Sequence, residues 1–375
     1  MKLNLTGLLN YPYYINFEAA NGMGYATPTF YGDIFLIIPA IFVNLGIDAN
    51  IVYAVTIVLS FSLILISSFY AYKFYFKDEK DALYYSVIYT FNTFILFEVL
   101  ERNAMGTNFA YIFIPWAFFS TIKIIENELS KKNIFILGIS MAFIILSHIQ
   151  TAIFTVIGLS IYALFNINKL IKAPKIILRI LCAVLICILL DAFFIFPMLE
   201  QLNFQRLYIN GKMFTIMENS YLPIFNILIP NFIWNKYVPE SIVFGRNATT
   251  NTISRTWTLP SCLLVIVYLM FIIIYRKVEK HEKPSKNFIL LFVLCVAPFI
   301  LAFTPLLFFI GIFDFMQFPW RLITLVAIFL PFLFIRESSI NEKDKLIATY
   351  FTIILAILYL LICIINFSET NESLL

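Results

Sequence analysis

Long apolar runs alternate with short polar gaps along the whole chain. The runs lie near residues 51–72, 83–100, 107–124, 133–148, 151–167, 176–198, 257–275, 288–304, 319–335 and 345–366. Each approaches the roughly 20 apolar residues that a helix needs to cross a bilayer, and snorkelling flanks make up the shorter ones. The pattern predicts an all-α polytopic membrane protein of about ten transmembrane helices. The gaps are not equivalent. Of 26 Lys and Arg residues, 18 fall in five clusters, Lys73–Lys80, Lys123–Lys132, Lys169–Arg179, Arg276–Lys286 and Arg336–Lys345, and these occupy every second gap. Basic loops stay on the cytoplasmic side, so both termini are expected outside a bacterial cytoplasmic membrane. The outward segments are then 101–106, the turn around His148–Gln150, one long loop at 199–256, the turn 305–318 and the tail.

The N-terminal segment breaks this rhythm. Residues 1–50 are expected outside, yet no apolar leader precedes them, and Lys2 is their only basic residue. Asp33–Gly46 is apolar but short, which suits a helix lying in the outer interface better than one that crosses. The expectation is that an upstream membrane helix is missing. The predicted organisation is an extracytoplasmic segment with an interfacial helix at 1–50, a six-helix membrane region at 51–198, an extracytoplasmic loop at 199–256, a four-helix region at 257–366 and an outer tail at 367–375.

Composition narrows the function classes. The chain has 375 residues, of which 61% are hydrophobic and 13% charged. Soluble domains carry about 25% charged residues. The net charge of +4 belongs to the positive loops and forms no basic face for nucleic acid. All five cysteines sit in apolar runs and read as packed residues, and the two histidines, His148 and His281, show no metal-site spacing.

Candidate chemistry collects on the outward side. Asn21–Asp33 is a turn rich in glycine and aromatics that leads into the interfacial helix, with Asp33 placed either to cap that helix or to meet substrate. Arg102, after Glu98 and Glu101, has planar donors suited to a lipid phosphate; its bland alternative is a pair with Glu98 four residues back. His148, in Ser147–Thr151, sits at membrane depth, where a histidine faces a cavity or is satisfied by a neighbour. In Phe315–Arg321, Trp320 is an interfacial anchor, but Arg321 lies inside the apolar run and needs an anionic partner. Asp191 is deep in the 176–198 run, as a relay group or as a packed carboxyl.

Taken in order, these segments resemble a known family. GxGYxxPxFYGD (Gly22–Asp33), the Glu101–Arg102 pair, LSHxQT (Leu146–Thr151), FPMLEQ (Phe196–Gln201) and QFPWR (Gln317–Arg321) are similar to bacterial membrane proteins labelled 6-pyruvoyl-tetrahydropterin synthase-related. That label implies no pterin chemistry; the family itself resembles GT-C glycosyltransferases. The resemblance implies a GT-C-like helical bundle with an outer interfacial helix and one long extracytoplasmic loop. It implies transfer of a sugar from a polyprenyl-phosphate donor to a cell-envelope glycan or lipid acceptor at the outer face, with membrane lipids as further partners. It assigns catalysis to Asp33, Glu18 or His148, and substrate contacts to Tyr31, Arg102, Gln150, Gln317 and Arg321, with Arg206, Arg246 and Arg255 as alternatives. GT-C enzymes carry an acid after their first membrane helix, as catalytic base or as ligand of a divalent metal ion; here only Glu18 and Asp33 remain for that role. The resemblance therefore also admits a truncated or inactive member.

Two other classes fit the sequence: a transporter or flippase of a lipid-linked saccharide, and a non-catalytic membrane scaffold. The absence of an internal repeat and the one-sided placement of polar motifs favour transfer chemistry. The topology has a direct test. Single cysteines at Lys280 and Asn247 should be labelled by an impermeant thiol reagent from opposite faces, with only position 247 reacting in intact cells; outside labelling of position 280 would overturn the arrangement.

Overall fold

The computed structural model describes residues 27–32, 34–126, 128, 130–204, 297–298, 301, 319–326 and 341–372. Among the described residues every regular element is helical. Four helices are long and apolar enough to cross a membrane, or five if one bent pair is a single span. The expected span at 257–275, most of those at 288–304 and 319–335, and most of the long loop lie outside the described residues. The chain packs as two compact units, one of residues 1–77 with 104–208 and the other of 78–103 with 209–375.

The first unit is built around α4 (Met105–Ile125), which is buried along almost its whole length between α2 (Ala49–Phe76) and α5 (Lys131–Ser147). Asp48 starts α2 by accepting the N–H groups of Asn50 and Ile51 at 2.9 and 3.3 Å, and Lys77 ends it in the left-handed conformation. The buried stripe of α2 includes Thr56, Ser60 and Ser68, whose hydroxyls bond carbonyls of their own helix. Small residues there let helices approach closely where lipid supplies no hydrophobic drive for association. Its opposite face exposes Val55, Val58, Leu59, Leu63 and Ile66, a surface that water would disfavour and acyl chains cover.

Inside α4, Pro115 lacks an N–H and disturbs the preceding turn. Ser67 of α2 donates to the Ile112 carbonyl at 2.7 Å, and Trp116 Nε1 donates to Ser67 Oγ at 2.9 Å. The carbonyl that Pro115 deprives of its intrahelical donor is that of Tyr111, and Ser67 bonds the next one along.

The apolar N-terminal segment forms a 3-10 turn, Ile34–Leu36, followed by α1 (Ile37–Asn44), with Gly46 beyond it at a φ of 95°. Together these 11 residues are too short to cross hydrocarbon about 30 Å thick. Phe35 locks the segment to the unit, with ring centroids 5.0 Å from Phe109, 5.7 Å from Phe113 and 5.8 Å from Phe143. α6 (Ile149–Phe165) returns from α5 through His148, the six-residue α7 (Ile167–Lys172) follows, and α8 (Pro174–Phe204) runs back along α5. α8 continues six residues past the expected end at residue 198, so the first part of the expected long loop is helical.

Three glycines set how closely this unit closes. A Cβ on Gly32 would stand 1.7 Å from the Leu146 carbonyl oxygen, one on Gly106 2.4 Å from that of Ser147, and one on Gly138 2.8 Å from that of Ala183.

In the second unit the expected span 83–100 is not one straight helix. α3 (Glu79–Thr90) is followed after a break by a helical segment at 93–100, bent by 49°. Asn92 restarts the helix by accepting the Phe94 N–H at 2.9 Å. The last turn, Phe97–Glu101, is a π turn closed by the Arg102 N–H on the Phe97 carbonyl at 3.0 Å, and Asn103 then turns left-handed at a φ of 52°. α9 (Glu342–Glu372) packs on α3. It opens with a reciprocal cap in which Asn341 and Asp344 each bond the other's backbone N–H, and Lys345 bonds both Asp81 of α3 and Glu342.

Gly32→Ala should therefore fold poorly or lose about 3 kcal/mol, because a backbone carbonyl cannot swing aside as a side chain can. Gly46→Ala meets open space and should cost only about 1 kcal/mol of left-handed strain. Thermal unfolding of the two purified variants in the same detergent checks the order.

Candidate functional site

The strongest candidate lies on the second unit, at the end of the bent span away from the Asp78 cap. Glu98 is the most deeply buried charged side chain there, with 1% of its surface exposed. A bare carboxylate in such a place would be untenable. Arg102 answers it: one guanidinium nitrogen, Nη1, donates to both carboxylate oxygens, at 2.9 Å to Oε1 and 2.6 Å to Oε2. The pairing that the four-residue spacing allows is thus formed. Arg321, 8% exposed in the 3-10 turn Pro319–Leu322, adds a second positive charge acting on the same carboxylate.

Arg102 pairs with Glu98, and the Arg321 charge also acts on that carboxylate. Arg102 keeps 23% of its side chain exposed. The backbone helps to hold it. The π turn places one extra residue in the helix just before Arg102, a feature frequent at functional sites. The left-handed Asn103 then turns the chain away.

Sequence reasoning treated Asp191 as the lone acid deep in an apolar run and missed the burial of Glu98. The available signal was its place two residues inside the end of the 83–100 run, four before an arginine. Asp191 is indeed fully buried, on the stripe of α8 that also carries Ala183, Cys187 and Phe194. Its described hydrogen bond comes from the Cys187 thiol one turn back, at 3.8 Å, and not from a neighbouring helix.

A second polar cluster belongs to the first unit. His148 is in extended conformation between α5 and α6, ending one helix and capping the next. Its Nδ1 accepts the Thr151 N–H at 3.3 Å and lies 2.8 Å from Thr151 Oγ1. A ring nitrogen that accepts a backbone N–H carries no proton, so the neutral ring is protonated at Nε2. Ser147 Oγ bonds the Phe143 carbonyl at 2.5 Å. Gln150 is half-buried in the first turn of α6, and Tyr31 is half-exposed beside Gly32.

The structure joins Arg102 and Arg321 through Glu98, and it puts His148, Gln150 and Tyr31 on the other unit. Asp33, Glu18 and Gln317 lie outside the described residues, as do Arg206, Arg246 and Arg255. Among the described residues no three His, Cys, Asp or Glu side chains converge as a metal ion would require. Comparison with models of known families, with curated proteins and with solved structures returned no match.

Glu98→Ala should destabilise the protein by about 3–5 kcal/mol, since it strands two arginines that are partly or wholly buried; Glu98→Gln keeps the volume and should cost less. His148→Asn retains a capping oxygen and should melt near the wild type, while His148→Ala should lose about 1 kcal/mol. Thermal unfolding separates the four variants.

Proposed function

We propose that this chain is a GT-C-like membrane glycosyltransferase, transferring a sugar from a polyprenyl-phosphate donor to a cell-envelope acceptor at the outer face of a bacterial cytoplasmic membrane. One observation carries the reading: two arginines, Arg102 and Arg321, both act on the buried Glu98 at the end of a broken span. The motif order from Gly22 to Arg321 supports it by resemblance.

In this reaction the acceptor hydroxyl oxygen attacks the anomeric carbon. The bond from that carbon to the phosphate oxygen breaks, the hydroxyl proton passes to a base, and polyprenyl phosphate departs with added negative charge. Two arginines suit the departing phosphate, because charge develops there during bond breaking and planar donors match its oxygens. Glu98 would hold them in place and keep the empty site from carrying two bare cations. The resemblance assigns the base to Asp33 or Glu18.

A second reading has an observation of its own. A span broken by 49° and a buried acid in mid-helix, Asp191, are features that transporters use at their binding sites. The protein would then move a lipid-linked saccharide and form no new bond.

The purified protein in nanodiscs, given a radiolabelled polyprenyl-phosphate sugar and an envelope acceptor, should form a new glycosidic bond. Arg321→Ala should lower turnover by about 2–4 kcal/mol in barrier, roughly 30- to 1,000-fold, with less effect on folded yield. Arg321→Lys should restore only part. Translocation of the labelled lipid in proteoliposomes without bond formation would favour the transporter instead.

A further inference from the structure

The short helix α7, between α6 and α8, has a pattern that neither sugar transfer nor transport uses. Its six residues divide cleanly at 100° per residue. Leu170, Ile167 and Ile171 share one arc; Asn168, Lys169 and Lys172 share the other. Leu170 is buried against the unit, whereas Ile167 is 42% and Ile171 70% exposed. Lys169, Lys172 and the following Lys175 are exposed, and among the described residues none of the three ammonium groups has an ion-pair partner. Farther along the unit, Glu128 pairs with Lys123 at 3.1 Å, and its backbone carbonyl accepts from Arg179 Nη1 at 3.4 Å.

A short helix with one anchored apolar residue, two exposed apolar residues and unpartnered lysines opposite them matches an element lying in the plane of a membrane surface. Its apolar arc reaches acyl chains while the lysines stand at phosphate level. We infer that α7 and Lys175 form a docking site for an anionic phospholipid, with the headgroup phosphate held by Lys169, Lys172 and Lys175 and the chains against Ile167 and Ile171. Charge complementarity selects this occupant: zwitterionic lipids offer the same chains but no net negative charge. The inference is independent of the proposed sugar transfer.

Native mass spectrometry of the delipidated full chain, titrated separately with phosphatidylglycerol and phosphatidylcholine, tests it. Phosphatidylglycerol should bind more tightly. The triple variant Lys169→Gln, Lys172→Gln, Lys175→Gln should lose that preference by about tenfold or more, given roughly fivefold per lysine at an anionic surface. The triple Lys→Arg variant should keep it. The control Lys77→Gln, Lys131→Gln, at exposed lysines elsewhere on the unit, should change it little. Equal binding of the two lipids, no loss in the Gln variant, or an equal loss in the control would each overturn the site. Competition by glycerol phosphate, which has no acyl chains, would show a free-phosphate site and overturn the lipid assignment. Should the Gln variant fold poorly, a photocrosslinker at Asn168 in the otherwise unchanged chain should label phosphatidylglycerol over phosphatidylcholine in mixed vesicles; equal labelling would overturn the proposal.

Discussion

Hydrocarbon offers no water to an exposed N–H or C=O, so every interruption of a helix in this chain has to be repaired where it occurs. Beside Pro115 the Ser67 hydroxyl bonds the Ile112 carbonyl, and Trp116 in turn holds that hydroxyl. The bend after α3 is answered by Asn92, and the α5–α6 corner by the His148 ring. Each repair is a side-chain bond of ordinary length, and each fixes a direction of the chain. The polar residues of these spans are therefore part of the architecture first, and any chemistry is built on groups already committed to holding the backbone.

The same constraint acts on charge. Glu98 and Arg321 are both buried, and each would be costly alone. Arg102, bonded to both oxygens of Glu98, and the Arg321 charge acting on the same carboxylate offset these separate liabilities. The lysines near the helix ends follow a parallel logic. Lys123 and Lys132 stand over the Phe74 ring at 4.6 and 5.5 Å, and Lys345 bridges Asp81 and Glu342.

Hydrophobic run length made the helical class and several boundaries legible in the sequence. The run at 51–72 became α2, and the runs at 133–148 and 151–167 became α5 and α6 on either side of His148. Run length could not show the break at Phe91–Asn92, because Asn92 is one polar residue in an apolar stretch and its cap exists only once the chain bends. It could not show the demands on Gly32 and Gly106 either, since those come from carbonyls more than 40 residues away in sequence. Of the candidate site, Arg102 and Arg321 were legible as charges out of place. Their common partner was not: Glu98 seemed to lie at a rim, and only packing in three dimensions shows that it is enclosed.

The seat of Gly32 against Leu146, and of Phe35 between Phe109, Phe113 and Phe143, has a consequence for biogenesis. The two sides of the first contact are 114 positions apart (146 − 32 = 114). At a synthesis rate of about 5–20 residues per second, the N-terminal segment waits roughly 6–23 s for its binding surface to be made. During that interval Ile34–Asn44 lacks the surface that Phe35 packs on. At 11 residues the segment is also too short to be taken up as a span, so an early apolar stretch does not compete with α2 for insertion while its place is being made.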